Sequence, residues 1–151
     1  MVEESSREGE GYNILLIESD PDSVSPFIDS FETTEVTNRV TTVSSGDEAF
    51  NFINQRDDYE DASRPDLVFL DLHLPSTDGL KILAEIKNHT ELKRIPVIVL
   101  TRSDEAEEVA QTYDLHANAY VQKPESPERF ERLAQAIEDF WLDHVVLPSK
   151  K

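Results

Sequence analysis

Five short apolar runs, separated by stretches with helical spacing, constrain the fold of this chain more than any other feature. The runs lie at residues 12–17, 39–43, 67–70, 97–100 and 119–122. The third and fourth, LVFL and VIVL, are apolar at every position, which is typical of strands buried on both faces of a parallel sheet. Strands that alternate with helices require right-handed βαβ connections. We therefore predict an α/β protein with a doubly wound, five-stranded parallel sheet.

The remaining segments predict five helices, at residues 21–31, 47–56, 79–89, 104–113 and 126–145. The first follows Asp20, a residue type that commonly caps helices, and has proline at its first position. The fourth is mostly acidic, and we expect Ala106, Val109 and Ala110 to face inward. The fifth is the longest and carries apolar residues at helical spacing as far as Trp141.

Polar residues follow four of the five runs. Ligands of doubly wound sheets bind beyond the carboxyl ends of the strands, where the strand order reverses. The residues that the sequence delivers to this edge are Glu18, Ser19 and Asp20 after the first strand, Asp71 after the third, Thr101 after the fourth and Lys123 after the fifth. This convergence of carboxylates, hydroxyls and an ammonium predicts a functional site.

The residue types at this edge favour phosphoryl chemistry assisted by a cation. Clustered carboxylates repel one another, and oxygen ligands without Cys or His suit Mg²⁺ or Mn²⁺. Such a cation could hold a phosphoryl group beside Asp71, whose carboxylate is a candidate nucleophile for an aspartyl phosphate. Lys123 would supply a fixed positive charge and Thr101 a hydroxyl donor, as phosphoryl transfer requires.

Each residue taken alone also has an ordinary structural explanation. Asp71 could be a solvated loop residue or a cap, and Lys123 a surface lysine. Thr101 could cap the helix predicted from residue 104. We expect the side chain of His73 to point at solvent. Only the joint arrangement at successive strand ends argues for a site.

The charge of the chain excludes several classes of partner. Thirty-two acidic and 14 basic residues give a formal net charge of -18, which repels nucleic acids and anionic membranes. We therefore expect neither as a partner. There are no cysteines, no apolar run approaches the roughly 20 residues of a membrane span, and the acidic N-terminus is unlike a signal peptide. These features favour a cytoplasmic protein.

The acid-rich, lysine-poor composition favours a halophilic protein, since high salt screens self-repulsion. Its stability should then rise with KCl concentration. The alternative is an ordinary acidic protein from a low-salt cytoplasm.

Four motifs together resemble a known family. ILLIESDPD, PDLVFLDLHLPSTDGL, IPVIVLT and NAYVQKP are similar to the CheY-like receiver domain of two-component response regulators, and the resemblance covers residues 13–142. It implies a flavodoxin-like (βα)5 fold with strand order 2-1-3-4-5. It also implies a signalling protein of a phosphorelay rather than a dedicated enzyme, with a sensor histidine kinase as partner.

The resemblance assigns roles residue by residue. Asp71 looks like the phosphoacceptor, Thr101 like the switch hydroxyl and Tyr120 like the aromatic residue that moves with it. Lys123 looks like the lysine that pairs with a phosphoryl oxygen. The backbone carbonyl of His73 would be a ligand of Mg²⁺, together with Glu18 and Asp71. The peptide between Lys123 and Pro124 is expected to be cis.

A narrower resemblance rests on ELKRIPVIVLT, ANAYVQKP and FWLDHVVLP. These stretches are similar to small single-domain receivers that are associated with phytochrome-type and other sensor kinases in cyanobacteria and haloarchaea. We expect a disordered acidic tail at residues 1–11, a stand-alone receiver at 12–147 and a short tail at 148–151. Without an output domain, such a receiver would signal through its own surface to an unknown downstream protein.

Ser19 departs from the family pattern. Most receivers have two adjacent acids after the first strand, and Ser19 aligns with the one that contacts the metal. Glu18 could reach the ion directly, Ser19 could bind it through water, or Asp20 could turn inward. Alternatively, Mg²⁺ binds poorly, and the domain is phosphorylated slowly or not at all.

Two functions therefore stay open, a phosphorylatable receiver with weakened metal affinity and a pseudo-receiver that acts as an interaction module. A flavodoxin-like cofactor binder is disfavoured, because ESDPDS is acidic where a phosphate would sit. The sequence also has no P-loop or GxGxxG stretch.

The end of the last helix is a candidate interface. Phe140 and Trp141 are adjacent, so one helical face cannot bury both. One of them could extend an apolar patch with Val145, Val146 and Leu147, which predicts a homodimer through the last helix. The alternative is that the tail folds back over them.

Overall fold

The apolar runs form one parallel sheet in a computed structural model that describes residues 11–32, 38–142 and 146–147. The strands are β1 (Tyr12–Ile17), β2 (Asn38–Val43), β3 (Leu67–Leu70), β4 (Val97–Thr101) and β5 (Ala119–Gln122). Their order is β2-β1-β3-β4-β5, and every neighbouring pair is parallel. The predicted α/β class and the order 2-1-3-4-5 are confirmed.

Within the described residues, four α-helices connect the strands and a fifth follows β5. They are α1 (Pro21–Glu32), α2 (Gly46–Ile53), α3 (Gly79–Asn88), α4 (Ala106–Asp114) and α5 (Pro127–Ile137). The carboxylate of Asp20 accepts a hydrogen bond from the backbone N–H of Asp22, which confirms the predicted cap of α1. The described residues also form a 3₁₀ turn (Asp57–Tyr59) and a hairpin of two two-residue strands (His73–Leu74 and Thr77–Asp78).

Two apolar layers cover the sheet. Alternate residues of the central strands face opposite sides, so both sides of each strand are buried. On one side they pack against α2 and α3, whose buried residues include Phe52, Ile53, Ile82, Leu83 and Ile86. On the other they pack against α1 and α5, which contribute Phe27, Phe31, Phe130, Ala134 and Ile137. This double burial explains why LVFL and VIVL carry no polar residue.

Helix α4 lies on the sheet differently from the sequence prediction. Ala106 and Ala110 are exposed, and Thr112 is the buried residue of this helix. At 100° per residue, Val109 and Thr112 share one face and the two alanines lie on another. Their predicted inward orientation is therefore wrong, because the helix turns its larger side chains toward the sheet instead.

The last helix also departs from its predicted bounds. It is α-helical only to Ile137 and continues as a π-helical turn over Glu138–Leu142. Residues 143–145 lie outside the described part of the chain, as do most of the residues of the two predicted tails. The wider π winding changes which side chains face the sheet at the end of the chain.

The peptide between Lys123 and Pro124 is trans, since the described residues include no cis peptide bond. The predicted cis bond is therefore wrong. The trans form is the ordinary state of such a bond and is favoured by roughly 0.5–1 kcal/mol. Within the described ranges no helix is long and apolar enough to cross a membrane.

Candidate functional site

The carboxyl ends of four strands meet around one cleft. Backbone hydrogen bonds hold the strand ends in register, from Glu18 N to Val43 O (3.0 Å) and from Asp71 N to Ile17 O (3.0 Å). The cleft has a volume of about 420 Å³, and its lining residues are Glu18, Ser19, Asp20, Asp71, His73, Thr101, Arg102, Ser103 and Lys123. The structure thus brings together all six residues that the strand ends predicted, and His73, Arg102 and Ser103 line the same cleft.

Lys123 lies between two carboxylates at the bottom of this cleft. Its ammonium nitrogen is 2.6 Å from Glu18 Oε1 and 3.1 Å from Asp71 Oδ2. All three side chains are at least nine-tenths buried. One positive charge therefore faces two potential negative charges, and burial makes each unbalanced charge costly.

Backbone N–H groups bind the remaining carboxylate oxygens. Asp20 N donates to Glu18 Oε2 over 3.1 Å, and His73 N donates to Asp71 Oδ1 over 3.0 Å. Both donors belong to the residue two positions after the carboxylate, so the loop following each strand orients its own acid. Each carboxylate is thereby fixed before any ligand binds.

The two acids differ in their affinity for protons. Burial and the nearby charge of Asp71 raise the pKa of Glu18 to about 7, against the opposing effect of Lys123. Burial acts in the same direction on Asp71, but the hydrogen bonds from His73 N, Glu18 and Lys123 outweigh it and lower its pKa. At neutral pH Asp71 is therefore ionised, as a nucleophile must be.

Thr101 carries a polar atom without a partner. The residue is fully buried, and its hydroxyl makes no hydrogen bond within the described part of the chain. Because an unsatisfied buried hydroxyl costs free energy, a hydrogen-bonding group placed in the cleft would be stabilised there. The structure thus does not use Thr101 as the helix cap that the sequence allowed.

Asp20 points toward Arg102 rather than toward the buried acids. Its Oδ2 lies 3.2 Å from Arg102 Nη2, and its Oδ1 accepts the hydrogen bond of the α1 cap. These two contacts lower the pKa of Asp20, which stays ionised. Within the described ranges, no three acidic or histidine side chains are arranged to hold a metal ion. The inward turn of Asp20, one of the three possible repairs, is therefore not the arrangement seen.

The oxygen atoms of the cleft nevertheless fit a hard divalent cation. Glu18 and Asp71 supply two carboxylates, and the hydroxyl of Ser19 lines the same cleft. Mg²⁺ binds through one or two carboxylates and keeps several water or phosphate ligands. The donor set is sufficient for this mode and insufficient for a cage built entirely from protein ligands.

His73 is more than half exposed, as predicted, but it has a partner. Its Nε2 lies 3.0 Å from Glu108 Oε2 in α4. The other oxygen of Glu108 is 2.6 Å from the hydroxyl of Tyr120, which is also 2.8 Å from the carbonyl of Ser103. Burial and the hydrogen bond to Glu108 raise the pKa of Tyr120. No sequence pattern distinguishes Glu108, because it is one of several acids in an acidic helix.

The candidate interface residues lie apart from the cleft. Phe140 is 57% exposed, whereas Trp141 packs against the α1 and α5 side of the core. Their rings meet edge to face, with centroids 5.6 Å apart. Val146 is almost fully exposed, and Val145 lies outside the described residues.

Comparison with known proteins places this cleft in a family context. The sequence model of the response regulator receiver domain matches residues 14–137. Response regulator Rcp1 of Synechocystis sp. is 38% identical over 136 residues, which are 90% of this chain and 92% of Rcp1.

Two solved structures are similar throughout. The Mn²⁺-bound form of Rcp1 has a TM-score of 0.85 at 38% identity, and the match covers 91% of this chain and 99% of Rcp1. The phosphorylated cyanobacterial phytochrome response regulator RcpA has a TM-score of 0.87 at 39% identity, with 92% and 99% covered.

Proposed function

We propose, from the premise that the chain belongs to the response regulator receiver domain family, that it is a stand-alone receiver which accepts a phosphoryl group on Asp71 from a sensor histidine kinase. The observation that carries the proposal is the pairing of an ionised Asp71 with Lys123, beside the unpartnered hydroxyl of Thr101. The match to nearly the full length of Rcp1 supports a receiver that works without an attached output domain. Such a protein would act in the cytoplasm, where its kinase donates the phosphoryl group.

In this function each side chain of the cleft has one task. A carboxylate oxygen of Asp71 attacks phosphorus, and the new O–P bond forms as the P–N bond of the phosphohistidine donor breaks. Lys123 then leaves its 3.1 Å contact with Asp71 and pairs with a phosphoryl oxygen. The hydroxyl of Thr101 gains an acceptor in the same group, which removes the cost of its burial. Movement of Thr101 would free space that Tyr120 can enter.

A divalent cation, Mg²⁺ in the cell, would neutralise charge on the phosphoryl oxygens when bound. The Mn²⁺-bound form of Rcp1 supports a cation requirement. Glu18, Asp71 and the backbone carbonyl of His73 would hold the ion, and Ser19 would contribute its hydroxyl or a bound water. Since Ser19 brings no charge, we propose weaker cation binding than an acid at that position would give.

The decisive test is labelling with a small phosphodonor such as acetyl phosphate in the presence of Mg²⁺, read by intact mass. We expect one phosphoryl adduct in the parent protein and none in the Asp71→Asn variant. An adduct that persists in Asp71→Asn would place the phosphoacceptor elsewhere. No adduct in the parent at high donor and Mg²⁺ concentrations would refute phosphorylation at this site.

That negative result would favour a pseudo-receiver, an interaction module that keeps the fold without the chemistry. The observation on its side is the limited set of acidic ligands, with Ser19 in place of an acid and Asp20 paired to Arg102. The Ser19→Asp variant separates the two functions. It should be labelled faster than the parent if the cation limits the reaction, and equal rates would show that Ser19 is not limiting.

We also propose that the receiver forms a homodimer through the end of its last helix. The exposed ring of Phe140 and the exposed side chain of Val146 support this, because exposed apolar groups favour a partner. Phosphorylation would then be signalled by dimerisation or by a change of surface that a downstream protein recognises.

A further inference from the structure

The ion pair between Asp20 and Arg102 crosses the edge of the sheet at the cleft. Asp20 follows β1 and Arg102 follows β4, and these two strands flank β3 in the sheet. Asp71 follows β3. The 3.2 Å contact between Asp20 Oδ2 and Arg102 Nη2 therefore joins the loops on either side of Asp71, and both residues line the cleft that contains it.

This pair decides how much negative charge the cleft offers to a cation. The acids at the edge are Glu18, Asp20 and Asp71, and the bases that contact them are Lys123 and Arg102. With all five ionised the sum is only -1. Arg102 thus cancels the attraction that Asp20 would otherwise exert on a divalent ion.

The Oδ2 atom of Asp20 is held loosely enough to be released, while the Oδ1 atom caps α1. The side chain of Arg102 is 66% exposed and that of Asp20 is 36% exposed, and exposed pairs of this kind contribute little stability. The loop itself is firmer, because Gln122 Nε2 donates to the backbone carbonyl of Arg102 over 3.1 Å. A change of partner for Asp20 therefore requires movement of side chains rather than of the sheet edge.

We propose that Arg102 withholds Asp20 from the cation, so that the Asp20–Arg102 bridge sets the divalent cation affinity of the cleft. When its ion pair with Arg102 breaks, Asp20 becomes a cation ligand and compensates for the carboxylate that Ser19 lacks. This inference rests on the proposed function, since it concerns the same cation site. It makes Arg102 a determinant of affinity that does not itself contact the ion.

The test is a double-mutant cycle with Mn²⁺ as the probe. Binding is measured from the loss of the free Mn²⁺ signal in electron paramagnetic resonance, which requires no phosphorylation. The proteins are the parent, Arg102→Gln, Asp20→Asn and the double variant. Arg132→Gln is the matched control, because it removes an exposed arginine from α5 and changes the net charge equally.

We expect Arg102→Gln to bind Mn²⁺ roughly tenfold more tightly than the parent, from loss of a repelling charge and gain of a carboxylate ligand. In the Asp20→Asn background the same change should gain no more than about threefold, since only the repulsion is then removed. Arg132→Gln should leave the affinity unchanged.

Two results would overturn the inference while the proposed function stands. One is binding by Arg102→Gln that equals binding by Arg132→Gln. The other is an equal gain from Arg102→Gln with Asp20 and with Asn at position 20, which would show that Asp20 is no ligand. Failure of the parent and of every variant to bind Mn²⁺ would instead refute the inference together with the cation requirement.

Discussion

At the scale of single residues, the site is built around one ammonium shared by two buried acids. Lys123 contacts both Glu18 and Asp71. When both acids are ionised, their two negative charges exceed the single positive charge of Lys123 by one. Raising the pKa of Glu18 to about 7 reduces that excess, because a protonated Glu18 carries no charge. The position after β1 can therefore exchange a proton for a cation near neutral pH.

Glu18 should also make the stability of the protein depend on pH. Its pKa is about 7 in the folded chain against an ordinary value of 4.5, so between these values the folded form binds the additional proton. Stability consequently falls as pH rises through this window. Between about pH 5 and pH 8, with divalent ions chelated, the parent should lose roughly 1–3 kcal/mol more of its free energy of unfolding than Glu18→Gln loses. Urea unfolding at each pH measures this difference.

The Gln variant provides the internal control, since it keeps the shape of Glu18 and an acceptor for Lys123 while it cannot ionise. Parallel pH profiles for the two proteins would contradict the raised pKa. A profile of the parent that rises relative to the variant would show the opposite sign of shift.

Residues fixed by strand ends were predictable, whereas residues paired across loops were not. Glu18, Asp71, Thr101 and Lys123 reach the cleft because backbone register places them there, and register follows from the apolar pattern. The contact of Asp20 with Arg102 depends on side-chain conformations in two loops that are 82 residues apart in sequence. No local pattern in the sequence encodes such a pairing.

At the scale of elements, α4 is the helix with the weakest apolar attachment. It buries Thr112, whereas α3 buries Ile82, Leu83 and Ile86. Polar contacts replace the missing packing, chiefly the 2.6 Å hydrogen bond between Tyr120 and Glu108. A helix held in this way can shift at little cost, because few apolar contacts have to break.

The amides of α4 should therefore exchange with solvent deuterium faster than those of α3. Tyr120→Phe removes the hydroxyl that binds Glu108, and we expect exchange in α4 to accelerate by roughly three- to tenfold while α3 stays unchanged. Tyr59→Phe is the control, since that hydroxyl donates a hydrogen bond to Glu48 in α2. Equal exchange of α4 in Tyr120→Phe and the parent would show that packing, not this bond, holds the helix.

The two elements whose details were mispredicted are both at the margins of the core. Central strands are buried on both faces, so their uninterrupted apolar pattern predicts a single structure. In α4 the apolar residues are small and few, and polar contacts decide which face turns inward. In the last helix the sequence continues a helical period, but the π-helical turn at Glu138–Leu142 inserts a residue into that period.

At the scale of the whole molecule, a few exposed apolar side chains that follow α5 contrast with a strongly acidic composition. The net charge of -18 opposes association of two copies, so a dimer requires a contact that outweighs this repulsion. Phe140 and Val146 are exposed, and we propose that they contribute to that contact. High salt would weaken the repulsion, and both the halophilic character and the rise of stability with KCl stay predictions.

We expect the parent to sediment as a dimer and Phe140→Ala to shift toward the monomer, because the variant loses the most exposed ring of the patch. Trp141→Ala should also weaken the dimer, but it removes part of the core as well. Tyr113→Ala, which removes a similarly exposed aromatic ring from α4, should leave the dimer intact. A monomeric parent would end the proposal, and a dimer indifferent to Phe140→Ala would place the interface elsewhere.

The solitary hydroxyl of Thr101 has a consequence for how such a protein evolves. A valine there would fit the same space and spare the resting fold the cost of an unbonded polar group. Selection for rigidity alone would therefore remove the threonine. Its presence leaves the resting fold below its stability optimum at a point where an incoming group can supply the missing hydrogen bond. The hydroxyl oxygen of Thr101 thus lowers the stability of the resting fold and, for the same reason, favours the binding of an incoming group.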